Sequence, residues 1–382
     1  MTNEDPFAPY RDAGGYLGDF RGERIPVILG YHAVRDAAKD WQRFSNDAQG
    51  RVPIPAEDDV RSLRQLPIET DPPLHTELKD LVRDWFRRPA TDPALREAIT
   101  VLVAEAVEKA LAAGEVEVVS GFALPLQSRA LALLLGLPRA AGEEWIAWGL
   151  HAFRTAGVND PARADRLLKV LERETDRAMA QGGDDFFAFL AGAEFRGRKL
   201  TRDEILGYAH VTFAGGRDTL IASIATALRH MAQRPEDLKA LRHSNRLAVT
   251  GAEEIVRWLS PLDHIGRICP HADEVGGHPR APGERIALCW AAANHDPAVF
   301  ADAQTLRLDR SPNPHVGYGA GDHACLGASH ARAVIRAVLT ETAARAGRID
   351  LVEEAPDMRD IGGVVHRRGY ARLTLRFHRK DD

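Results

Sequence analysis

Cysteine is scarce in this chain: three residues in 382, at positions 269, 289 and 325. A chain this long with so few thiols has no disulfide framework, and a reducing cytoplasm is the expected setting. An excess of basic charge is also missing. Fifty Lys and Arg stand against 55 Asp and Glu, for a formal net charge of −5, and no basic tract occurs, so no nucleic-acid partner is expected. No run approaches the roughly 20 apolar residues of a membrane span. The first thirty residues also lack a basic stretch leading into an apolar one, so neither a membrane anchor nor a secretory signal is expected. Hydrophobic residues make up 45% and charged residues 27%, which suits a globular chain with a large core and argues against disorder.

Helical periodicity dominates from Asp92 to about Arg229, with turn signals at LGLPRAAG, QGGDD and FRGRK. Residues 27–41 read as a strand running into a helix, and 74–87 as a helix following Asp71-Pro72-Pro73. Thr201 and Glu204 have capping-box spacing and open a segment reaching Pro235, about 45 Å long if unbroken. A further helix carries GAEEIVRWLS and stops before Pro261. Beyond it the texture changes. GERIALCW and YARLTLRF are rich in strand formers, residues 294–324 form a long irregular stretch, and a helix is expected from Cys325 to about Arg345. A loop of that length inside a compact chain is usually functional. The expected fold is mainly α with a small β region, with residues 1–25 as a loose N-terminal segment.

The segment HVGYGAGDHACLG (315–327) places a thiol in a glycine-rich loop ahead of an apolar-periodic helix. Gly317, Gly319 and Gly321 can take positive φ and let a flat ligand approach the backbone, and Gly327 keeps the helix start free of a Cβ. Amides at a helix start favour a thiolate, which suits either metal ligation or nucleophilic attack. Taken alone, the loop also fits a buried structural cysteine. A phosphate loop fits less well, because the preceding strand and the Lys-Ser/Thr of such loops are missing. A zinc site lacks a second cysteine at short spacing.

Residues Tyr318 to Gly327 resemble the haem-binding signature of the cytochrome P-450 family, Phe-Gly-x-Gly-x-His-x-Cys-x-Gly, with Tyr318 where phenylalanine is usual. The resemblance implies haem b with Cys325 as axial thiolate ligand, an aromatic shield at Tyr318, a close backbone approach at Gly319 and Gly327, and a propionate contact at His323. Three further motifs follow family order. Gly215-Gly216-Arg217-Asp218-Thr219 is similar to the family's oxygen-site helix motif, which implies proton delivery by Asp218 and Thr219. Glu254-Ile-Val-Arg257 matches Glu-x-x-Arg, with Arg310 as the third partner, a structural cluster. His75-Thr-Glu-Leu-Lys79 resembles His-Thr-x-x-Arg, with lysine replacing arginine, and Arg267 stands where the family has another propionate-binding arginine. These matches span nearly the whole chain, which favours one domain over residues 1–382.

The family resemblance further implies a monooxygenase that inserts one atom of O2 by hydroxylation or oxidative dealkylation. Electrons would come from NAD(P)H through a separate ferredoxin and ferredoxin reductase, docked on Arg83, Arg87, Arg88, Arg332 and Arg336. A monomer is expected. The pocket would draw on the 50–70 loop, the 145–200 helices, Val211 to Gly215, and Leu262, Asp263, His264 and Ile265. It would be mostly apolar and take a small to medium hydrophobic molecule. Peroxide-driven oxidation and a non-catalytic haem sensor are the alternatives.

Overall fold

The computed structural model describes residues 5–57, 59–150, 154–155 and 158–380. Strands β1 (Gly15–Phe20) and β2 (Glu23–Ile28) form an antiparallel hairpin, where the sequence led us to expect a loose terminal segment. Burial explains the order: residues 25–28 of β2 are all buried, and Ile25 and Val27 enter a core beside Phe7 and Leu29, so the hairpin covers an apolar surface. Helix α1 (Leu74–Thr91) and strand β3 (Glu115–Glu117) follow, within a largely helical half.

The segment from Thr201 is not one helix but two. The capping box at Thr201 and Glu204 is present and opens α2 (Arg202–Gly216); a break at Arg217 separates it from α3 (Asp218–Gln233). Then come α4 (Asn245–Leu259), β4 (His264–Ile268), β5 (Arg285–Cys289) and α5 (Ala328–Arg345). The chain closes with the long hairpin β6 (Ala346–Ile361) and β7 (Val364–Arg379). A four-stranded sheet runs β1-β2-β5-β4, with β5 parallel to β2 and antiparallel to β4, and a three-stranded sheet runs β6-β7-β3.

The largest core brings together Leu220, Ile224 and Leu228 of α3, Ile255 of α4, Val334, Ile335 and Val338 of α5, and Leu373 and Leu375 of β7. Each such side chain, fully buried, stabilises the fold by about 1.5–3 kcal/mol. This core fixes the three helices around the cysteine loop. A second core, with Phe86, Trp145, Phe186 and Phe213, fixes α1 and α2 on the other side. No helix among the described residues is long and apolar enough to cross a membrane.

Candidate active site

The cysteine loop runs between the irregular stretch and α5. Gly319 and Gly321 take left-handed φ of 73° and 72°, conformations that strain a residue bearing a Cβ. Gly317 does not; its constraint is steric, since a Cβ there would lie 2.8 Å from Val256 Cγ1 on α4. A Cβ at Gly327 would meet Cys325 Sγ at 3.8 Å, ordinary contact, so that glycine is not demanded by crowding. The Cys325 amide donates to the Tyr318 carbonyl at 2.8 Å, folding the loop on itself. The Cys325 side chain is exposed although helices flank it. Surrounding protein pushes its thiol pKa up, while the amides of Gly327 and Ala328 pull it down. The helix itself starts at Ala328, three residues later than expected.

His75 and His323 meet above this loop with ring centroids 3.9 Å apart. His75 Nδ1 and both ring nitrogens of His323 are buried without hydrogen-bond partners. Burial holds His75 down to about 4 and His323 to about 2, with Arg267 and Lys79 adding to both effects. Arg267 is itself buried, and desolvation lowers its pKa to about 10. Lys79 Nζ donates to the carbonyls of Asp322 and Ala324, the latter at 2.9 Å. Four residues from three distant segments thus converge on one basic, under-bonded region.

On the opposite flank lies the α2–α3 break. The Gly216 carbonyl accepts from Gln127 Nε2 at 3.0 Å, and Thr219 Oγ1 donates back to the Gly215 carbonyl at 2.9 Å. Outside donors and a back-bonding hydroxyl replace the lost helical bonds, which is how a helix is interrupted without orphaned carbonyls. Arg217 anchors the break. Its buried guanidinium donates to the carbonyls of Trp145 (2.8 Å), Leu150 (3.2 Å) and Gly149. Sequence reasoning missed this role, because the paired glycines drew attention to their own positions.

Glu254, Arg257 and Arg310 do come together. Arg257 Nε and Nη2 donate to Glu254 at 2.7 and 2.8 Å, and Arg310 Nε lies 3.0 Å from both carboxylate oxygens. Arg257 reaches onward to the Asn294 and Ala303 carbonyls, both at 2.9 Å, so the cluster ties α4 to the irregular stretch.

The residues expected to line a pocket differ in exposure. Val211 and Ile265 are half-buried, Gly215 and Leu262 exposed, His264 half-buried and Asp263 buried. In the 50–70 loop, Arg61 pairs with Glu57 (3.3 Å) and Glu69, and Gln65 Nε2 sits 2.9 Å from His210 Nδ1 on α2. On β7, Arg368 donates to Asp357 at 3.2 Å, and the fields of Asp263, Asp218 and Asp357 hold its pKa up against burial. Residues 151–153 and 156–157 of the expected wall lie outside the described residues. Three of the five arginines expected for docking are already paired: Arg83 with Asp80, and Arg332 and Arg336 with Glu253.

A family model described as cytochrome P-450 matches residues 162–343. Linalool 8-monooxygenase of Pseudomonas putida is 30% identical over 302 residues, 75% of this chain and 72% of that protein. A steroid C26-monooxygenase of Mycolicibacterium smegmatis is 27% identical over 364 residues, 92% of this chain and 82% of its own. A solved structure described as a carbohydrate-active P-450 shares 37% identity with a TM-score of 0.95, covering 99% of each chain. Fold, cysteine loop and relatives together define an oxidoreductase of the monooxygenase class. The chain belongs to the cytochrome P-450 family, of the bacterial type.

Proposed function

We propose that Cys325 is the axial thiolate of a haem b bound between the cysteine loop and the α2–α3 break. The observation that carries this reading is the thiol itself: exposed between packed helices, with the Gly327 and Ala328 amides opposing the rise that burial imposes on its pKa. The surrounding side chains fit the cofactor. Its two carboxylates would meet His75, His323, Arg267 and Lys79, where buried ring nitrogens lack partners. When bound, haem supplies the activation of O2. Asp218 and Thr219 follow the helix break, where the hydroxyl, by exchanging its bond to the Gly215 carbonyl, would pass on a proton taken from water. Glu254, Arg257 and Arg310 hold the ligand loop in place. Electrons come from NAD(P)H through a ferredoxin and its reductase, and the protein works as a cytoplasmic monomer. Arg87 and Arg88 carry more of the docking charge than Arg332 or Arg336, whose charges Glu253 partly cancels.

For the substrate, the observation favouring a hydroxyl-rich molecule of carbohydrate type is the set of polar side chains on or against the segments expected around the pocket. Gln65, His210, Asp263 and Arg368 supply donors and acceptors, and the 37%-identical relative is described as carbohydrate-active. Such a site rejects molecules that leave its buried polar groups unpaired. The second reading is the small hydrophobic molecule expected from sequence, which the linalool and steroid monooxygenases favour.

The test has two arms. The reduced carbon-monoxide complex should show the red-shifted Soret band of thiolate ligation and lose it in Cys325→Ala. Neutral sugars and their ethers should then displace haem-bound water, seen as a Soret shift, more strongly than terpenoids do. A shift with terpenoids alone would return the substrate to the hydrophobic class. Turnover with peroxide but not with ferredoxin, reductase and NAD(P)H would favour peroxide-driven oxidation, and no turnover with either would favour the sensor.

A further inference from the structure

Glu253 adjoins Glu254 on α4 but serves a different set of partners. Its Oε1 accepts from Arg332 Nε at 2.7 Å, its Oε2 accepts from Arg332 Nη2 at 2.9 Å, and Arg336 Nη2 stands 3.7 Å away. His315 Nε2 lies 3.1 Å from Oε2. The other imidazole nitrogen, Nδ1, is 3.2 Å from the Gly317 amide. An amide N–H can only donate, so Nδ1 bears no proton, and the proton on Nε2 is the one donated to Glu253. The charge of Glu253 is thus met by Arg332, with His315 bonded to Oε2 and Arg336 nearby. Burial works against that charge, yet the bonds from His315 and Arg332 outweigh it and hold the carboxyl at about 2.

Both partners lead to the cysteine loop. His315 fixes the Gly317 amide at the loop's entrance. The Arg332 guanidinium lies over the Tyr318 ring, 4.4 Å from its centroid, a cation–π contact on the aromatic that precedes the thiol. The Tyr318 carbonyl in turn accepts the Cys325 amide.

We infer that Glu253 is a positioning residue for the ligand loop: it clamps His315 and Arg332 against Gly317 and Tyr318, and its charge, set against Arg332, tunes the electrostatic potential at Cys325. This rests on Cys325 being the haem ligand. Residues that do not touch a cofactor tune it through hydrogen bonding, charge and burial around its ligand. Reduction adds an electron at the iron, so a nearby negative charge opposes it and a positive charge favours it.

The experiment is a spectroelectrochemical titration of the haem-loaded parent, Glu253→Gln, Arg332→Gln and Glu253→Asp. Glu253→Gln keeps the shape but removes the negative charge. At a fixed applied potential its reduced-to-oxidised ratio should rise roughly three- to tenfold, tenfold being 59 mV for one electron. Arg332→Gln should move the ratio the other way. Glu253→Asp keeps the charge on a shorter arm and should stay within about twofold of the parent, since the tuning is electrostatic. A purely packing role predicts instead that both glutamine variants lose the thiolate carbon-monoxide band, or shift in the same direction. Either outcome overturns the inference, as do unchanged ratios in both. A parent protein without the thiolate band would instead refute the assignment of Cys325, a separate failure.

Discussion

The two flanks of the cysteine loop are held by opposite means. Behind it, Glu254 has no exposed surface and spends its carboxylate on Arg257, Arg310, Asn313 and the Arg307 amide, so every bond is made and the charges are closed in. Facing it, the α2–α3 break is defined by helical bonds that are not made, and Gly215 stays exposed between two buried stretches of helix. A saturated network resists change; an interrupted helix holds its carbonyls and hydroxyl through single bonds that can be exchanged around a ligand. Substitutions on the first flank should therefore appear in stability, and those on the second in chemistry.

The largest expected effect tests the saturated side. Glu254→Gln leaves two buried guanidinium groups without their counter-charge, and breaking a buried ion pair in this way costs about 3–5 kcal/mol. The chemical denaturation midpoint should fall accordingly, with poor recovery of haem-loaded protein. A midpoint within error of the parent would mean that the cluster is replaceable and the contrast between flanks is false.

Next comes Arg217, which belongs to the open flank by position but is buried like the closed one. Arg217→Met would strip donors from the Trp145, Gly149 and Leu150 carbonyls, costing about 1–3 kcal/mol for the groups left unsatisfied. Desolvation already lowers the pKa of this guanidinium to about 10, so losing the charge itself returns part of that cost. Urea unfolding of the variant measures the sum. A stability above the parent's would show that Arg217 is kept for the shape of the break and not for folding.

Thr219→Ala tests the open flank in its own terms. The hydroxyl's single recorded bond is to the Gly215 carbonyl one turn back, so removing it should cost well under 1 kcal/mol of stability. Product formed per reductant consumed should nevertheless fall about tenfold or more, the difference appearing as hydrogen peroxide, given what a positioned proton donor contributes. Normal coupling would assign proton delivery to another group.

These expectations mark where sequence was informative. The cysteine loop, Glu254 with Arg257, and Asp218 with Thr219 are local patterns, each within a few residues, and the chemistry expected of them comes from their resemblance to family motifs, not from spacing alone. Arg310 could be placed because the motif order demanded a third partner. The polar contacts between elements could not: Gln65 meets His210, and Arg368 feels Asp263, only after separate elements pack. The N-terminal hairpin was missed for a related reason, since its glycines and acids read as loose until the parallel pairing of β2 with β5 is known. One segment from Thr201 to Pro235 was expected, and its break at Arg217 depends on carbonyls of a different segment that accept from the guanidinium.

The smallest effect concerns the far end of α2, where the capping box sets how firmly the interrupted helix is anchored. Thr201 Oγ1 accepts from the Glu204 amide at 3.3 Å, and Glu204 Oε2 accepts from the Thr201 amide at 2.7 Å. Bonds from Arg198 hold the Glu204 carboxyl at about 2, with burial opposing and the Thr201 amide adding to the effect. A depressed folded-state pKa contributes stability that is present above the ordinary glutamate value near 4.5 and is lost as pH falls toward 2. Thr201→Ala should cost about 1 kcal/mol at pH 7. It also removes the hydroxyl from the box without touching Arg198, so most of the acid-side loss should persist in the variant. Glu204→Gln should abolish that pH dependence while lowering stability at pH 7. Thermal melts of both variants between pH 2 and 7 separate the terms. If Glu204→Gln kept the parent's full acid sensitivity between those limits, the carboxylate would not be the group responsible, and α2 would be anchored by its packing against the helix Pro161–Gln181 and not by its cap.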